Sequence, residues 1–390
     1  MTGDTIDRLL GSAASAGNVP GVVALAAGRS GAFYQGAFGA RSSDANAPMA
    51  LDTVFRIASM TKAVTAVAAM QCVERGQLAL DQPAGEIVAG LADPQVLEGF
   101  DAAGKPRLRP ARGKPTLRQL LTHTAGFVYH VWNAELNRYV DATGAPTIMS
   151  GKLAALDMPL AFEPGERWEY GINIDWAGRM VEAVSGQDLE AYMRENIFTP
   201  LGMHDTTFVP TDEQMSRIAQ IHGRTPDGSL EPAPPTPPVT PEFFAGGGGL
   251  CSTGPDYLAF LRMVLNGGAL DGGRVLKPET VALMTQNHIG ALDVQPLKSG
   301  HPAVSNDADF FPGMKKKWGL SWLINTEDVP GRRSAGSLAW AGLFNTYYWL
   351  DPRRQIAGVL LTQVLPFADA TVLRLLDDFE TAVYGIAAGG

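Results

Sequence analysis

The stretch that decides the fold runs from Thr53 to Gly76 and reads TVFRIASMTKAVTAVAAMQCVERG. It is predicted to be helical from about Ser59 and to end at Gly76, where a left-handed cap is expected. Ser59-Met60-Thr61-Lys62 is the only Ser-x-x-Lys in the chain and opens this helix. Because Ser59 and Lys62 are three residues apart, their side chains share one helical face. The helix N-terminus also presents free backbone N–H groups near the serine.

This pair suits nucleophilic catalysis. A serine hydroxyl is a weak nucleophile and requires a base. Lysine is a base only when neutral, so its pKa must fall from about 10.4 toward 7, which represents roughly 4–5 kcal/mol of desolvation and charge repulsion. A half-buried helix start in a cleft supplies such surroundings. A lone Ser-x-x-Lys is more often a structural coincidence, so the rest of the chain decides its meaning.

The ends of the chain are strand-rich and the middle is helical. Antiparallel strands at both ends can join one sheet, with the middle inserted as a second lobe and a ligand cleft between them. The predicted elements are an opening helix (3–16), a hairpin (22–27 and 33–38), helices at 116–122 and 172–197, an extended proline-rich connector (231–241), strands at 318–324, 337–343, 345–350 and 355–364, and a final helix at 369–384. The glycine run 246–249 predicts a close backbone approach at a strand rather than a phosphate-binding loop.

Further motifs follow the Ser-x-x-Lys in a fixed order. They are Leu120-Leu121-Thr122-His123-Thr124-Ala125-Gly126, Pro164-Gly165-Glu166-Arg167-Trp168-Glu169-Tyr170-Gly171-Ile172-Asn173, Pro200-Leu201-Gly202-Met203, Gly246-Gly247-Gly248-Gly249-Leu250-Cys251-Ser252-Thr253 and Trp340-Ala341-Gly342-Leu343. In this order and spacing the chain resembles the serine β-lactamase-like family, which includes class C β-lactamases, D-alanyl-D-alanine carboxypeptidases and family VIII carboxylesterases. The resemblance extends from about residue 5 to 385.

The resemblance implies an α+β fold of the β-lactamase type. An antiparallel sheet is flanked by the N- and C-terminal helices, and a mainly helical lobe is inserted. We therefore predict a discontinuous sheet domain formed by residues 1–75 and 315–390, and a mainly helical domain with long loops formed by residues 76–314. The active site is expected in the cleft between them.

The resemblance also implies a serine acyl-enzyme mechanism. Ser59 matches the family nucleophile, Lys62 its partner lysine, and Tyr170 the tyrosine that shuttles protons with that lysine. A tyrosine of pKa about 10 needs a nearby cation to become a usable base, and Lys62 is that cation. The oxyanion hole is expected from the backbone N–H groups of Ser59 and Leu343.

Two departures from the class C pattern bear on the substrate. The asparagine of Tyr-x-Asn stands one residue later here, at Asn173, and the edge-strand Lys-Thr-Gly is replaced by Trp340-Ala341-Gly342. Loss of that lysine removes a cation suited to a substrate carboxylate, and the Trp-x-Gly form resembles the family VIII esterases. The Lys298-Ser299-Gly300 triplet precedes the strand that it should follow, and is interpreted as a loop.

The pocket residues predicted to contact substrate are Trp340, Gly342, Tyr129, Asn173 and Phe311. Loop aromatics, among them Trp132, Phe243, Phe244 and Phe310, are further candidates for an apolar acyl pocket, although such residues often form only small satellite cores.

Other titratable residues receive non-catalytic interpretations. His123 is predicted to be a helix-end residue satisfied by backbone groups rather than the base. Asp175 and Glu182 are predicted to be surface or capping groups. The run Lys315-Lys316-Lys317 is predicted to be a solvated turn.

Composition excludes several function classes. The 390 residues are 45% apolar and 18% charged, which excludes a disordered chain. The net charge of −9 argues against nucleic acid as a partner. Two distant cysteines give no zinc pattern or disulfide framework, so no metal or cofactor is expected. No apolar run is long enough to span a membrane, and no signal peptide is recognised, so a cytoplasmic location is expected. The oligomeric state is not predicted.

We therefore expect a serine carboxylesterase that hydrolyses small to medium-chain esters through an acyl-enzyme on Ser59, with acyl transfer as a second activity and β-lactam hydrolysis as a weak one. One alternative is a β-lactamase or D-alanyl-D-alanine peptidase. A second alternative is a non-catalytic binding member of the fold, against which the intact Ser59, Lys62 and Tyr170 set speaks.

Overall fold

The structure is a computed structural model that describes residues 3–42, 47–234 and 240–387. Residues 235–239 of the proline-rich segment lie outside the described residues. In chain order the strands are β1 (Gly21–Ala27), β2 (Ala32–Ser42), β3 (Ala47–Pro48), β4 (Phe55–Arg56), β5 (Gln95–Phe100), β6 (Pro106–Pro110), β7 (His222–Arg224), β8 (Leu230–Pro232), β9 (Cys251–Ser252), β10 (Ala269–Leu270), β11 (Gly273–Arg274), β12 (Lys316–Trp318), β13 (Leu323–Asn325), β14 (Leu338–Gly342), β15 (Thr346–Asp351), β16 (Ile356–Leu361) and β17 (Val364–Leu365).

The helices are concentrated in the middle of the chain. They are α1 (Gly3–Ser15), α2 (Thr61–Glu74), α3 (Leu117–Leu121), α4 (Ala134–Thr143), α5 (Asn173–Ser185), α6 (Leu189–Met193), α7 (Thr199–Leu201), α8 (Asp212–Ser216), α9 (Gly254–Leu265), α10 (Pro278–Met284) and α11 (Ala370–Ala387). A π-helical turn, Arg194–Phe198, joins α6 to α7, and 3₁₀ turns lie at Ala58–Met60, Ala84–Glu86, Ala89–Leu91, Ile148–Ser150 and Leu153–Leu156.

One antiparallel sheet unites the two ends of the chain. Its strand order is β12-β13-β14-β15-β16-β1-β2-β3, and β1 pairs with β16 so that Leu25 lies opposite Val359. This confirms the predicted α+β fold, in which strands from the two ends of the chain share a sheet. The division into two domains at residues 75 and 315 stays a prediction.

Both faces of this sheet are covered, which explains why β1, β15 and β16 are buried along their whole length. On one face, the start of α9 packs against Val23 and Leu25. On the other face, Phe379 of α11 packs against Trp349, with ring centroids 5.7 Å apart. Covered antiparallel sheets lose the alternation of polar and apolar residues, so these strands read as continuous apolar runs.

Most predicted elements are confirmed, including the opening helix, the hairpin and the final helix. Gly76 has a φ of +71°, as expected for the left-handed end of α2. The single helix predicted over 172–197 is wrong. It ends at Ser185 because Gly186 is left-handed (φ +71°). Asp188 then caps a new helix by accepting a hydrogen bond from the Ala191 N–H.

Two predictions around residue 320 are also wrong. The strand expected over 318–324 is two strands, β12 and β13, which are joined by a turn with Ser321 in the left-handed region (φ +74°). The lysine run is not a solvated turn, since Lys316 and Lys317 belong to β12. Lys316 is buried and pairs with Asp309, while Lys317 pairs with Asp293. These partners come from the preceding loop, which a local reading of three lysines cannot reveal.

The sequence predicts neither a membrane-spanning segment nor a metal site. Within the described ranges, no helix is both long and apolar enough to cross a membrane. Searching the same residues reveals no group of three or more His, Cys, Asp or Glu side chains arranged to hold a metal ion. Cys72 and Cys251 are both buried free thiols.

Candidate active site

Ser59 sits in the 3₁₀ turn Ala58–Met60, directly before α2. The preceding residue, Ala58, has a φ of +43°, a left-handed conformation that is unfavourable for a residue with a Cβ and is concentrated at functional sites. The turn is held from below, where the Tyr257 hydroxyl donates to the carbonyl oxygen of Met60 at 2.9 Å. Ser59 itself is only half-buried, so a substrate can reach its hydroxyl.

Lys62 reaches three oxygen atoms from one buried position. Its Nζ lies 3.0 Å from Ser59 Oγ, 3.1 Å from the Tyr129 hydroxyl and 2.5 Å from the carbonyl oxygen of Gly247. An ammonium group donates to all three. A neutral amine donates to two of them and accepts the Ser59 proton with its lone pair, which is the arrangement that a general base requires.

Burial lowers the pKa of the Lys62 amine. Only 1% of Lys62 is exposed, and desolvation lowers its pKa to about 7, against an opposing pull from the negative charge of Asp175. A large fraction of Lys62 is therefore neutral at neutral pH. The pKa drop that the sequence reasoning required is thus supplied mainly by removal of water from the ammonium group.

Tyr170 completes the predicted set. Its ring centroid lies 4.7 Å from Lys62 Nζ, and its hydroxyl oxygen accepts a hydrogen bond from the Trp340 indole N–H at 3.1 Å. Burial raises the pKa of Tyr170, and this effect outweighs the hydrogen bonds from Ser59 and Trp340, which lower it. The phenol is therefore protonated at neutral pH. Burial therefore opposes formation of the phenolate that the predicted base role of Tyr170 requires.

The glycine run packs against the face of α2 that carries Lys62. Besides the Lys62 contact to Gly247, the Thr65 hydroxyl donates to the Gly246 carbonyl at 2.7 Å, and the Leu250 N–H donates to the Thr61 hydroxyl at 3.1 Å. A Cβ at Gly247 would lie 2.4 Å from Asp175 Oδ2, so any larger residue here would displace the carboxylate. The predicted close backbone approach is present, and the segment leads directly into β9.

Asp175 corrects an interpretation made from sequence. It is not a surface or capping group but is completely buried, and its Oδ1 accepts a hydrogen bond from the Gly247 N–H at 2.9 Å. Its Oδ2 is also buried, and no partner for that oxygen occurs in the described part of the chain. Burial raises the pKa of Asp175 to about 6, against the opposing effect of Lys62. Glu182, further along α5, bonds to Arg179 and to the Leu189 N–H.

A small pocket beside Ser59 is lined mainly by aromatic and aliphatic side chains. The lining residues are Ser59, Trp132, Tyr170, Leu297, Trp340, Ala341, Gly342, Leu343 and Phe367. They include no Asp, Glu, Lys, Arg or His. The pocket brings together Ser59, Leu343, Trp340 and Gly342, and it also contains Leu297 and Phe367, which sequence reasoning missed.

The end of β14 borders this pocket because its neighbour is short. β13 pairs only with Leu338 and Ala339, so residues 340–342 extend past it. Gly342 lies so close to the segment before Ser59 that a Cβ on it would be 2.2 Å from the Ile57 carbonyl oxygen. A glycine at this position therefore allows the strand to lie against the segment that carries Ser59.

Three predicted pocket residues lie elsewhere. Asn173 is completely buried, and its amide donates to the Phe127 carbonyl at 2.8 Å and contacts His123 Nδ1 at 3.1 Å, so it does not face the pocket. Phe311 lines a different cavity, next to Arg333. Tyr129 is placed in contact with Lys62 rather than in the pocket wall.

His123 supports the position of Tyr170. Its Nδ1 accepts a hydrogen bond from the Gly171 N–H at 3.4 Å, and its ring centroid lies 4.8 Å from that of Tyr170. Burial, followed by the charge of Lys62, lowers the pKa of His123, so the ring is neutral. The ring packs behind the tyrosine, which agrees with the interpretation that it is not the base.

The comparisons with known proteins decide the family. The family model described as Beta-lactamase matches residues 6–381. The chain belongs to the beta-lactamase family. Relatives in this family include the monacolin J acid methylbutanoyltransferase of Aspergillus terreus, which is 34% identical over 382 residues (94% of this chain, 92% of the relative). The lovastatin esterase of Penicillium rubens is 32% identical over 406 residues (97% and 98%).

A solved structure of a named synthase is also similar to the chain. Unliganded simvastatin synthase (LovD) from Aspergillus terreus has 33% sequence identity to the chain and a TM-score of 0.85, and 99% of each chain is covered. This beta-lactamase-family chain is therefore an enzyme of the serine hydrolase type, and its relatives include a named acyltransferase and a named esterase.

Of the residues that sequence reasoning missed, Asp175 left a signal. It is the one charged residue in Ile172-Asn173-Ile174-Asp175-Trp176-Ala177, where the surrounding apolar residues indicate burial. A carboxylate in such a run requires a partner. The strain at Ala58 left no comparable signal, since nothing in the local sequence favours a positive φ.

Proposed function

We propose that this enzyme cleaves small, uncharged carboxylic esters through an acyl-enzyme on Ser59 and passes the acyl group to water or to an alcohol. The observation that carries the proposal is the 3.0 Å contact between Lys62 Nζ and Ser59 Oγ beside a pocket without charged side chains. The contact supports general-base activation of the serine, and the lining supports a neutral, apolar acyl group.

Acylation begins when neutral Lys62 takes the Ser59 proton as the oxygen attacks the ester carbonyl. The backbone N–H groups of Ser59 and Leu343 bind the developing oxyanion, and loss of one such donor typically costs about 3–4 kcal/mol. As the C–O bond breaks, the departing alkoxide takes a proton. Tyr170 donates that proton and is reprotonated from the Lys62 ammonium, so that no phenolate accumulates.

Deacylation repeats these steps with a new nucleophile. Water or an alcohol enters beside the acyl group, gives its proton to Lys62 by way of Tyr170, and attacks the acyl carbon. Collapse of the second tetrahedral intermediate returns the proton to Ser59 Oγ. The pocket walls of Trp132, Leu297 and Phe367 surround the acyl group and limit the access of water, so an apolar alcohol competes with water for the acyl-enzyme.

The relatives support both fates of the acyl group. One is named for the transfer of a methylbutanoyl group and another for the hydrolysis of lovastatin. The absence of a cation from the lining residues supports ester cleavage over β-lactamase or carboxypeptidase activity, since the substrates of those enzymes carry a carboxylate.

The proposal is tested with a panel of p-nitrophenyl esters, from acetate through 2-methylbutyrate to decanoate, with nitrocefin in parallel. Wild type should hydrolyse the short esters with the highest kcat/KM and turn over nitrocefin far more slowly, and Ser59→Ala should lose both activities. Added alcohols such as butanol should divert the acyl group into a new ester, detected by chromatography. Faster nitrocefin than ester turnover, or ester turnover retained in Ser59→Ala, would overturn the proposal.

A further inference from the structure

Asp175 occupies an unusual electrostatic position. It lies in the first turn of α5 and is completely buried, and no cation contacts its carboxylate directly in the described part of the chain. Burial of a carboxylate is costly unless a nearby charge or several hydrogen bonds compensate for it. The helix N-terminus supplies part of that compensation. One hydrogen bond from Gly247 alone could be accepted equally well by a neutral asparagine.

The compensating positive charge is that of Lys62, which lies on the other side of Gly247 from the carboxylate. Gly247 donates its N–H to Asp175 Oδ1 at 2.9 Å and accepts from Lys62 Nζ at 2.5 Å with its carbonyl oxygen. The carboxylate also lies directly against this glycine, since a Cβ on Gly247 would be 2.4 Å from Asp175 Oδ2. Gly247 thus lies between the carboxylate and the amine and is hydrogen-bonded to each through one of its two backbone polar groups.

We propose that Asp175 is a positioning residue for Lys62, which acts through Gly247 to hold the amine against Ser59 and whose negative charge offsets the burial of that amine. The inference rests on the proposed function, since it concerns the base of that reaction. Asp175 touches neither substrate nor the reacting atoms. Its effect on the reaction passes through the placement and charge of Lys62.

Few other ionisable groups face this pair. Lys62 comes from α2, His123 and Tyr129 come from the segment after α3, and Tyr170 precedes α5. Burial lowers the pKa of His123 and raises the pKa values of both tyrosines, so all three are neutral near pH 7. Among the residues that the structure describes, the charge on Asp175 is therefore what opposes the desolvation of Lys62.

The Asp175→Asn variant removes the negative charge of the side chain and keeps its shape. The amide oxygen can still accept from the Gly247 N–H, but desolvation of Lys62 is then unopposed and its pKa falls. The acid limb of kcat/KM should move to lower pH by about one unit, with a lower plateau because the amine is a weaker base. Glu182→Gln is the matched control, because Glu182 lies on the same helix and also accepts a backbone N–H, from Leu189. Its pH profile should match wild type.

A second experiment measures thermal stability, which does not depend on catalytic activity. Tm is measured at pH 6.5 for wild type, Asp175→Asn, Lys62→Met and the double variant, between the pKa of Asp175 (about 6) and that of Lys62 (about 7). Asp175→Asn should lower Tm when Lys62 is present, and should have little effect or raise Tm in the Lys62→Met background. Equal losses in both backgrounds, or a wild-type pH limb in Asp175→Asn, would overturn the inference. Absence of ester cleavage by wild type would count against the proposed function alone.

Discussion

The indole N–H of Trp340 donates a hydrogen bond to the hydroxyl oxygen of Tyr170 at 3.1 Å. Trp340 stands where the class C pattern carries the lysine of Lys-Thr-Gly. The substitution therefore exchanges a cation for a neutral donor that is already engaged with the tyrosine. The end of β14 therefore contacts the tyrosine to which we assign proton transfer, in addition to lining the pocket beside Ser59.

The first prediction concerns this hydrogen bond. Trp340→Phe should lower kcat about 5- to 100-fold, because a hydrogen bond to a group that gains charge is worth about 1–3 kcal/mol. KM for a short ester should change less. Trp132→Phe serves as the control, since Trp132 borders the same pocket but its indole N–H donates to Ser305. An equal loss of kcat in both variants would mean that packing, not the hydrogen bond, explains the effect.

The second prediction distinguishes two phenols that lie beside the same amine. Tyr170→Phe should reduce kcat by about 100-fold or more, because it removes the proton donor to the leaving group. Tyr129→Phe should cost far less, because Tyr129 only accepts a hydrogen bond from Lys62. Steady-state kinetics on ethyl butyrate measure both, because its leaving alkoxide must be protonated, whereas p-nitrophenolate leaves as the anion. The reverse order of effects would transfer the proton-shuttle role to Tyr129.

A third prediction follows from the pKa of Lys62, which burial lowers to about 7. Catalysis requires the neutral amine, so kcat/KM should rise with pH through about 7 and level off above about 8. His123 contributes no limb in this range because its pKa is lowered by burial, and Tyr170 contributes none because its pKa is raised. A rate that falls as pH rises through 7 would show that the ammonium form is the active one.

The fourth prediction concerns acyl-chain length. Phe310 packs behind two walls of the acyl pocket, with ring centroids 5.9 Å from Trp340 and 6.3 Å from Phe367. On its other side lies a cavity of about 290 Å³. Phe310→Ala should join the two spaces and raise the decanoate-to-acetate ratio of kcat/KM roughly tenfold or more.

Phe311→Ala is the matched control for that variant. Phe311 lines the same cavity, but its ring faces the Arg333 guanidinium at 5.0 Å and it does not line the acyl pocket. Its chain-length profile should match that of wild type. An unchanged profile in Phe310→Ala, or the same shift in both variants, would show that Phe310 does not separate the two spaces.

Local sequence was sufficient for much of this architecture. The helix that carries Ser59 and Lys62 ends at Gly76 as predicted, because a glycine cap is a local signal. The spacing of Ser59 and Lys62 on one helical face likewise follows from helix geometry alone. Tyr170 is distant in the chain, and its place beside Lys62 was reached only through the resemblance of the motif order to a known family.

The features that the sequence did not reveal depend on tertiary contacts. Asp175 accepts a hydrogen bond from Gly247, 72 residues later, so the apolar residues around it indicate burial but cannot identify its partner. Asn173 turns away from the pocket because Phe127 and His123 supply partners for its amide. The apolar run from Trp318 to Ile324 reads as one strand, whereas Ser321 breaks it with a left-handed conformation that its residue type does not favour.

The central claim is that Ser59 carries the acyl group, and trapping the intermediate tests it most directly. Wild type is mixed with p-nitrophenyl 2-methylbutyrate, quenched in acid within the first turnover, and examined by intact-protein and peptide mass spectrometry. We expect one added 2-methylbutanoyl group, located on the peptide that contains Ser59 and absent from Ser59→Ala. Acylation of another residue, or a burst of p-nitrophenol release with no acylated protein trapped, would contradict the account.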